Sequence, residues 1–259
     1  MMRSTSFHRL LMCVLALVAN QAIAAVPPAP KLPADAYFLM DATTGQVLVD
    51  HNGDLSLPPA SLTKIMTSYV LAEEVDAGRA SLDDMIKVSR NAWSQNPTFK
   101  GSSLMWIEPG KPVSLADLER GVVISSGNDA SVAVAEHLAG TESSFVDVMN
   151  QLAAELGLDN TVYRNPHGLP HPEHRTTARD LATLSVALIN GHPEHYKIYK
   201  EQSFTYNGIK QYNRNSLLRS DATVDGLKTG YTSEAGYGLV ASAQREDMRL
   251  VSVVLGSAS

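Results

Sequence analysis

The chain predicts an α+β fold, with one antiparallel sheet assembled from both chain ends and a helical cluster between them. Two observations carry this. Short runs rich in β-branched and aromatic residues stand near the N-terminus, at 37–40 and 46–49, and again in the last third, at 203–207, 224–229, 237–243 and 250–255. Between these groups, apolar residues recur at helical spacing in segments closed by glycine. At 259 residues, 44% hydrophobic and 19% charged, the composition is that of an ordinary globular chain with room for a sizeable core. No internal repeat or heptad pattern is present.

Taken in order, Asp41-Ala42-Thr43-Thr44-Gly45 supplies the turn of a hairpin between the first two strands. Pro58-Pro59 then ends extended structure and introduces a helix whose apolar positions include Leu62, Ile65, Met66, Tyr69 and Val70, with Gly78 as its stop. Residues 81–113 are broken by Pro97, Gly101 and Pro109-Gly110. Ser114 followed by Asp117 starts a helix over 115–124. Ser126-Gly127-Asn128 interrupts the pattern, which resumes over 130–138 and stops at Gly140, so this tripeptide is expected in a tight link between two helices. Thr141 begins a helix covering 145–156 and ended by Gly157, and a further helix spans 179–190 and ends at Gly191. The intervening polar stretch 159–177 carries three prolines.

The N-terminus reads as an export signal. Arg3, His8 and Arg9 precede an apolar run over 10–19, and Ala22-Ile23-Ala24 is a small-x-small cleavage site. The run is half the roughly twenty residues needed to span a bilayer, which favours cleavage over anchoring. Residues 1–24 are thus a signal peptide, 25–35 a proline-rich leader and 36–259 the folded domain. The single cysteine, Cys13, lies inside the signal, so the mature chain forms no disulfide. The formal charge is −6, and removal of Arg3 and Arg9 makes the mature chain more acidic. Without a basic tract, no nucleic-acid partner and no electrostatic membrane attachment is expected.

Chemistry is suggested by Ser61 and Lys64, three residues apart. On a helix, positions i and i+3 share a face, so hydroxyl and amine come within reach. A serine hydroxyl needs a base to become a nucleophile, and a lysine serves only when burial or a nearby cation lowers its pKa. Alone, the pair reads first as an ordinary amphipathic helix whose serine caps the start and whose lysine is solvated. Ser126-Gly127-Asn128 and Lys228-Thr229-Gly230 follow in order at domain-scale spacing, and S-x-x-K, S-x-N and K-T-G together are far more specific than any one alone. His167, His171 and His174 are interrupted by prolines and form no helical ligand face, so no metal and no cofactor is expected.

From about Ala36 to Leu255 the sequence resembles the low-molecular-mass penicillin-binding proteins, the serine-type D-alanyl-D-alanine carboxypeptidases of the peptidase S11 type. The similar stretches are ASLTKIMTSYVLAEE, FKGSSLMWIEPG, ISSGNDASVAVAEHLAG, NPHGLPHPEHRTTARDLA, QYNRNSLL and VDGLKTGYTSEAGYGLVASA. The resemblance implies a β-lactamase/transpeptidase-like fold and removal of the terminal D-alanine from peptidoglycan stem peptides through a Ser61 acyl-enzyme, with β-lactams as inhibitors. It makes Lys64 the base, Ser126 a proton relay, and Asn128 and Lys228 the groups orienting and discharging Lys64. It gives the backbone N–H groups of Ser61 and Tyr231 to the oxyanion, and Lys228, Thr229, Gly230 and Arg214 to substrate binding. Arg214 also reads as a structural hydrogen-bonding residue.

A D,D-endopeptidase of the same fold, a β-lactamase and a non-catalytic wall-binding homologue are the alternatives. A β-lactamase of class A needs a glutamate to activate water. Glu155 and Glu173 are the candidates and neither is assigned, since Asp159 stands where that loop motif expects asparagine. His167 falls in the counterpart loop. Relatives of this type usually continue past the final strand into a closing helix, a β-rich second domain and an amphipathic anchor. The chain is expected to lack these, to encode no membrane attachment, and to leave apolar sheet surface exposed.

Overall fold

The computed structural model describes residues 28–259, so the export signal expected at 1–24 lies outside the described residues. Residues 28–35, the described part of the expected leader, form neither helix nor strand. From residue 32 onward the chain is one unit. In chain order its elements are β1 (Ala36–Asp41), β2 (Val47–His51), a 3₁₀ turn (Ala60–Thr63) running directly into α1 (Lys64–Asp76), β3 (Met85–Ile86), β4 (Val113–Ser114), α2 (Leu115–Val123), α3 (Asn128–Ala139), α4 (Glu142–Glu155) and α5 (Ala178–Gly191). Then come a short α6 (Pro193–Tyr196), β5 (Ser203–Tyr206), β6 (Ile209–Tyr212), α7 (Leu217–Ser220), β7 (Val224–Thr232), β8 (Gly236–Arg245) and β9 (Met248–Ser257).

The α+β architecture stands as expected. Five strands form one antiparallel sheet in the order β2-β1-β9-β8-β7, so the first and last strands of the chain are neighbours at its centre. The register Phe38↔Val253 and Val240↔Val253 aligns apolar residues toward the helices, where Phe38, Val240, Val251, Val253 and Leu255 are buried. Helix α5 packs on β1 and β9, and the 3₁₀ turn packs on β7 and β8. The opposite face carries half-buried Leu39, Ala241 and Leu250 along a groove of about 670 Å³. Among the described residues no helix is long and apolar enough to cross a membrane.

Helix starts follow their caps. Ser114 accepts from Asp117 N at 3.1 Å, Thr141 from Ser144 N at 3.0 Å, and Thr177 from Asp180 N at 3.1 Å. Helix α1 departs from the amphipathic alternative, because Lys64 through Ala72 are all buried. Over Lys64–Ala72 the helix packs among α2, α3, α4 and α5 and has no solvent face to make polar, and only its last turn, Glu73–Asp76, reaches the surface. One strand is also corrected. Residues 203–207 do not join the main sheet, because Asn207 and Gly208, at φ 48° and 76°, turn the chain back so that β5 pairs with β6 as a separate hairpin.

At the far end of α1 lies a buried ionisable cluster. His195 Nδ1 meets Glu119 Oε1 at 2.5 Å, and His192 Nδ1 meets Asp76 Oδ2 at 2.6 Å. The hydrogen bond to Glu119 raises the His195 pKa against the opposing effect of burial. A raised folded pKa means that protonated His195 contributes stability fully below its unfolded value of about 6.5, and that this is lost as pH rises through the folded value. Thermal unfolding of wild type and Glu119→Gln between pH 6 and 9 should therefore give a Tm difference that is largest at the acid end and shrinks upward. A difference independent of pH would contradict the assignment.

Candidate active site

The 3₁₀ turn brings Ser61 and Lys64 together. In this geometry residues i and i+3 eclipse one another, which places Lys64 Nζ 3.3 Å from Ser61 Oγ. The turn is strained at its entrance, where Ala60 sits at φ 49°. Two contacts hold it. Thr63 Oγ1 donates to the Ala60 carbonyl at 2.8 Å and is itself paired with His174 Nε2 at 3.0 Å. Since Thr63 spends its proton on Ala60, His174 Nε2 is the donor in the second bond. Burial pushes the His174 imidazole down to about 3, so it serves as a neutral donor.

Lys64 is 1% exposed, which rules out the solvated lysine of the amphipathic alternative. Its Nζ donates to Asn128 Oδ1 at 2.7 Å and to the His167 carbonyl at 2.5 Å. The His167 carbonyl is aimed by its own turn, in which Asn165 Oδ1 accepts from Gly168 N at 2.6 Å and Thr67 Oγ1 donates to the Pro166 carbonyl at 2.5 Å. Burial, reinforced by the Lys228 charge and opposed by Asp129, lowers the Lys64 pKa well below the ordinary lysine range. With two hydrogens committed to carbonyl oxygens, the neutral amine has its lone pair left for the Ser61 hydroxyl.

A second lysine–serine pair faces the first. Lys228 Nζ donates to Ser126 Oγ at 2.9 Å, with a second bond to the Thr229 carbonyl at 2.9 Å. Burial and the Arg214 charge push Lys228 down to about 7. Ser126 sits at φ 60° in the link between α2 and α3, as the interrupted pattern predicts, and Asn128 is the first residue of α3. Lys228 lies on β7, whose free edge borders a cleft of about 990 Å³. Ser61, Ser126, Asn128, Thr229, Gly230, Tyr231 and Arg214 all line that cleft. Gly230 allows close approach, since a Cβ there would lie 3.2 Å from both Ser61 N and the Pro59 carbonyl.

Arg214 is exposed between two anchored asparagines. Asn213 donates to the Glu201 carbonyl at 3.1 Å and Asn215 to the Gly226 carbonyl at 2.9 Å, while among the described residues the Arg214 guanidinium has no partner. Neither glutamate candidate lines the cleft: Glu155 accepts from Gln151 at 2.9 Å, and Glu173 pairs with Arg164 at 3.2 Å. Glu142 lies 3.5 Å from Nε2 of the cleft-lining His167, and sequence reasoning did not single it out. Sequence reasoning also passed over Asp129, His174 and Gly168, whose roles depend on contacts between distant segments.

The arrangement stands in a transpeptidase-like α+β fold, shared with solved structures of penicillin-binding proteins. That of penicillin-binding protein 5 from Haemophilus influenzae is similar at a TM-score of 0.88 and 46% identity, covering 91% of this chain and 68% of that one. Penicillin-binding protein D2 from Listeria monocytogenes, in its cefotaxime-bound form, is similar at a TM-score of 0.81 and 32% identity, covering 90% and 93%. The chain belongs to the peptidase S11 family, D-alanyl-D-alanine carboxypeptidase, whose model matches residues 21–259. It is 52% identical to D-alanyl-D-alanine carboxypeptidase DacC of Escherichia coli over 231 residues, 88% of this chain and 58% of the relative. It thus spans somewhat over half the length of the curated relatives it matches.

Proposed function

We propose that this chain is a serine-type D-Ala-D-Ala carboxypeptidase that removes the terminal D-alanine from peptidoglycan stem peptides. The observation that carries the reading is the buried Lys64, its hydrogens taken by Asn128 and His167 and its lone pair directed at Ser61. Ser61 Oγ attacks the carbonyl between the two D-alanines, and its proton passes to Lys64 Nζ. The negative charge that develops on the carbonyl oxygen is met by the backbone N–H groups of Ser61 and Tyr231. Collapse breaks the C–N bond, and Ser126, hydrogen-bonded to Lys228, relays to the departing amine the proton that Lys64 took from Ser61, which leaves both Ser126 and Lys64 as they began. Water then attacks the ester, releasing the shortened peptide and restoring Ser61.

The substrate enters along the free edge of β7 as an additional strand. Its terminal carboxylate lies against Lys228, the Thr229 hydroxyl and Arg214. A β-lactam presents an equivalent acyl group and carboxylate, so it acylates the same serine. The export reading of residues 1–24 supports a periplasmic or other extracytoplasmic site of action, with 36–259 as the catalytic domain.

Arg214→Ala should lower kcat/KM for a peptide ending in D-Ala-D-Ala by about 10- to 100-fold, mostly through KM, as expected for loss of one charge-assisted hydrogen bond to a carboxylate. A loss confined to kcat would argue against a substrate-binding role.

The reading as a whole is tested by two assays on the same preparation: release of D-alanine from a pentapeptide, and capture and loss of a fluorescent penicillin over time. Stable label with D-alanine release supports a carboxypeptidase. Rapid turnover of the label would instead make it a β-lactamase, and cleavage of cross-linked dimer without release of terminal D-alanine would make it an endopeptidase. Folded protein that takes no label would be a non-catalytic wall-binding homologue.

A further inference from the structure

Asp129 follows the Ser126-Gly127-Asn128 motif and is fully buried, yet it touches neither serine nor lysine. Its carboxylate is surrounded by main-chain donors. Oδ1 accepts from Met105 N at 2.8 Å and Ala130 N at 2.9 Å. Oδ2 accepts from Trp106 N at 2.8 Å and Ile107 N at 3.2 Å. Three of these four donors come from a segment more than twenty residues earlier, which would otherwise bury three unpaired N–H groups.

The same segment touches the site. The Ser103 carbonyl accepts from Asn128 N at 2.9 Å, and Ser103 lines the cleft. Two non-glycine residues in the left-handed region flank the carboxylate, Trp106 at φ 73° and Ser126 at φ 60°. Strain of this kind persists only where surrounding structure over-determines it, and it collects at functional sites. There is also no slack at the junction, because a Cβ on Gly127 would fall 2.9 Å from Asp129 Oδ1 and 3.0 Å from Met105 N.

We propose that Asp129 is a positioning residue for acyl transfer, clamping the 103–107 segment onto the turn that carries Ser126 and Asn128 and setting the negative charge that acts on Lys64. The inference rests on the acyl-transfer reading of the site. The charged and titratable groups around Lys64 are Lys228 on β7, Arg214 before α7, Asp129 on α3, and His167 with its partner Glu142 on α4. Burial raises the Asp129 pKa above the ordinary carboxylate value, and the four N–H donors, which favour the ionised form, oppose that rise. Of the neighbours acting on Lys64, Asp129 favours its protonated form, and Lys228 and Arg214 favour the neutral one.

The test is Asp129→Asn in the full chain, assayed for D-alanine release and for acylation by benzylpenicillin across pH. An amide cannot accept from four donors, so the turn should loosen, and kcat should fall by ~10²-fold with little change in KM, the effect of a misplacement of about 1 Å. Loss of the negative charge should lower the Lys64 pKa further and move the acid limb of kcat/KM and of the acylation rate to lower pH. A folded variant with kcat within about twofold of wild type and an unmoved acid limb overturns the proposal.

Gly127→Ala breaks the clamp by crowding while keeping the charge, and it stands in if the asparagine variant does not fold. It should lower kcat and leave the acid limb in place, and wild-type kcat in it overturns the proposal. Wild type that releases no D-alanine would count against the carboxypeptidase reading instead, and the benzylpenicillin rates would still decide the role of Asp129.

Discussion

Ser61→Ala is expected to take no covalent penicillin label and to release D-alanine at least ~10⁴-fold more slowly than wild type, and Lys64→Ala is expected to lose a comparable factor. The second loss follows from how the site is wired. Among the described residues the basic group hydrogen-bonded to Ser61 Oγ is Lys64 Nζ, at 3.3 Å, and that amine is held by the Asn128 and His167 oxygens. Remove the amine and the hydroxyl remains in place with no group to accept its proton. The two penalties should not add: the double variant should be no slower than either single one, as for residues that act as a unit. Lys64→Arg should fail to rescue, because a guanidinium stays protonated and offers no lone pair. Additive losses, or substantial acylation by the arginine variant, would remove Lys64 from the role of base.

Much of this site was legible in the sequence, for physical reasons. Ser61–Lys64, Ser126–Asn128 and Lys228 are spaced by local geometry, a helical turn, a tight link and a strand, so residue type and short-range order carry their arrangement. The caps at Ser114 and Thr141 were legible for the same reason, since a side chain bonding three residues on needs no knowledge of the rest of the fold. The β5–β6 hairpin carried a local signal as well, Asn207-Gly208 between two short strands, and weighing it would have separated that strand from the main sheet.

What was not legible depends on pairs far apart in the chain. Asp129 reads as a helix-start acid until the 103–107 segment is laid over it. His174 reads as one of three loop histidines until Thr63 arrives beside it. Glu142 reads as a first-turn acid on α4 until His167 stands beside it. Helix α1 misleads in the other direction: periodicity measures the contrast between two faces, and a helix buried all round has none to offer.

The clearest such case is Gly168, where the second large effect is expected. It sits at φ 89°, and a Cβ there would overlap the Ala60 carbonyl oxygen at 1.8 Å and approach Thr63 Oγ1 at 2.9 Å. The obstacle is backbone, so no rotamer change relieves it. Something in the 60–63 turn or the 165–169 turn must move, and both end on catalytic contacts: the first on Ser61, the second on the His167 carbonyl that holds Lys64. Gly168→Ala therefore combines left-handed strain with overpacking, together about 3–5 kcal/mol, or a Tm lowered by about 10 °C. Among molecules that still fold, the acylation rate should fall by ~10²-fold or more, because movement of either turn shifts Ser61 or the His167 carbonyl that holds Lys64. Penicillin labelling below the lowered Tm separates the two effects. A variant that is destabilised yet acylates at the wild-type rate would mean that the Ala60–Gly168 contact serves the fold alone. A variant with wild-type Tm and slow acylation would mean that the turn yields easily and that its position is fixed for the chemistry.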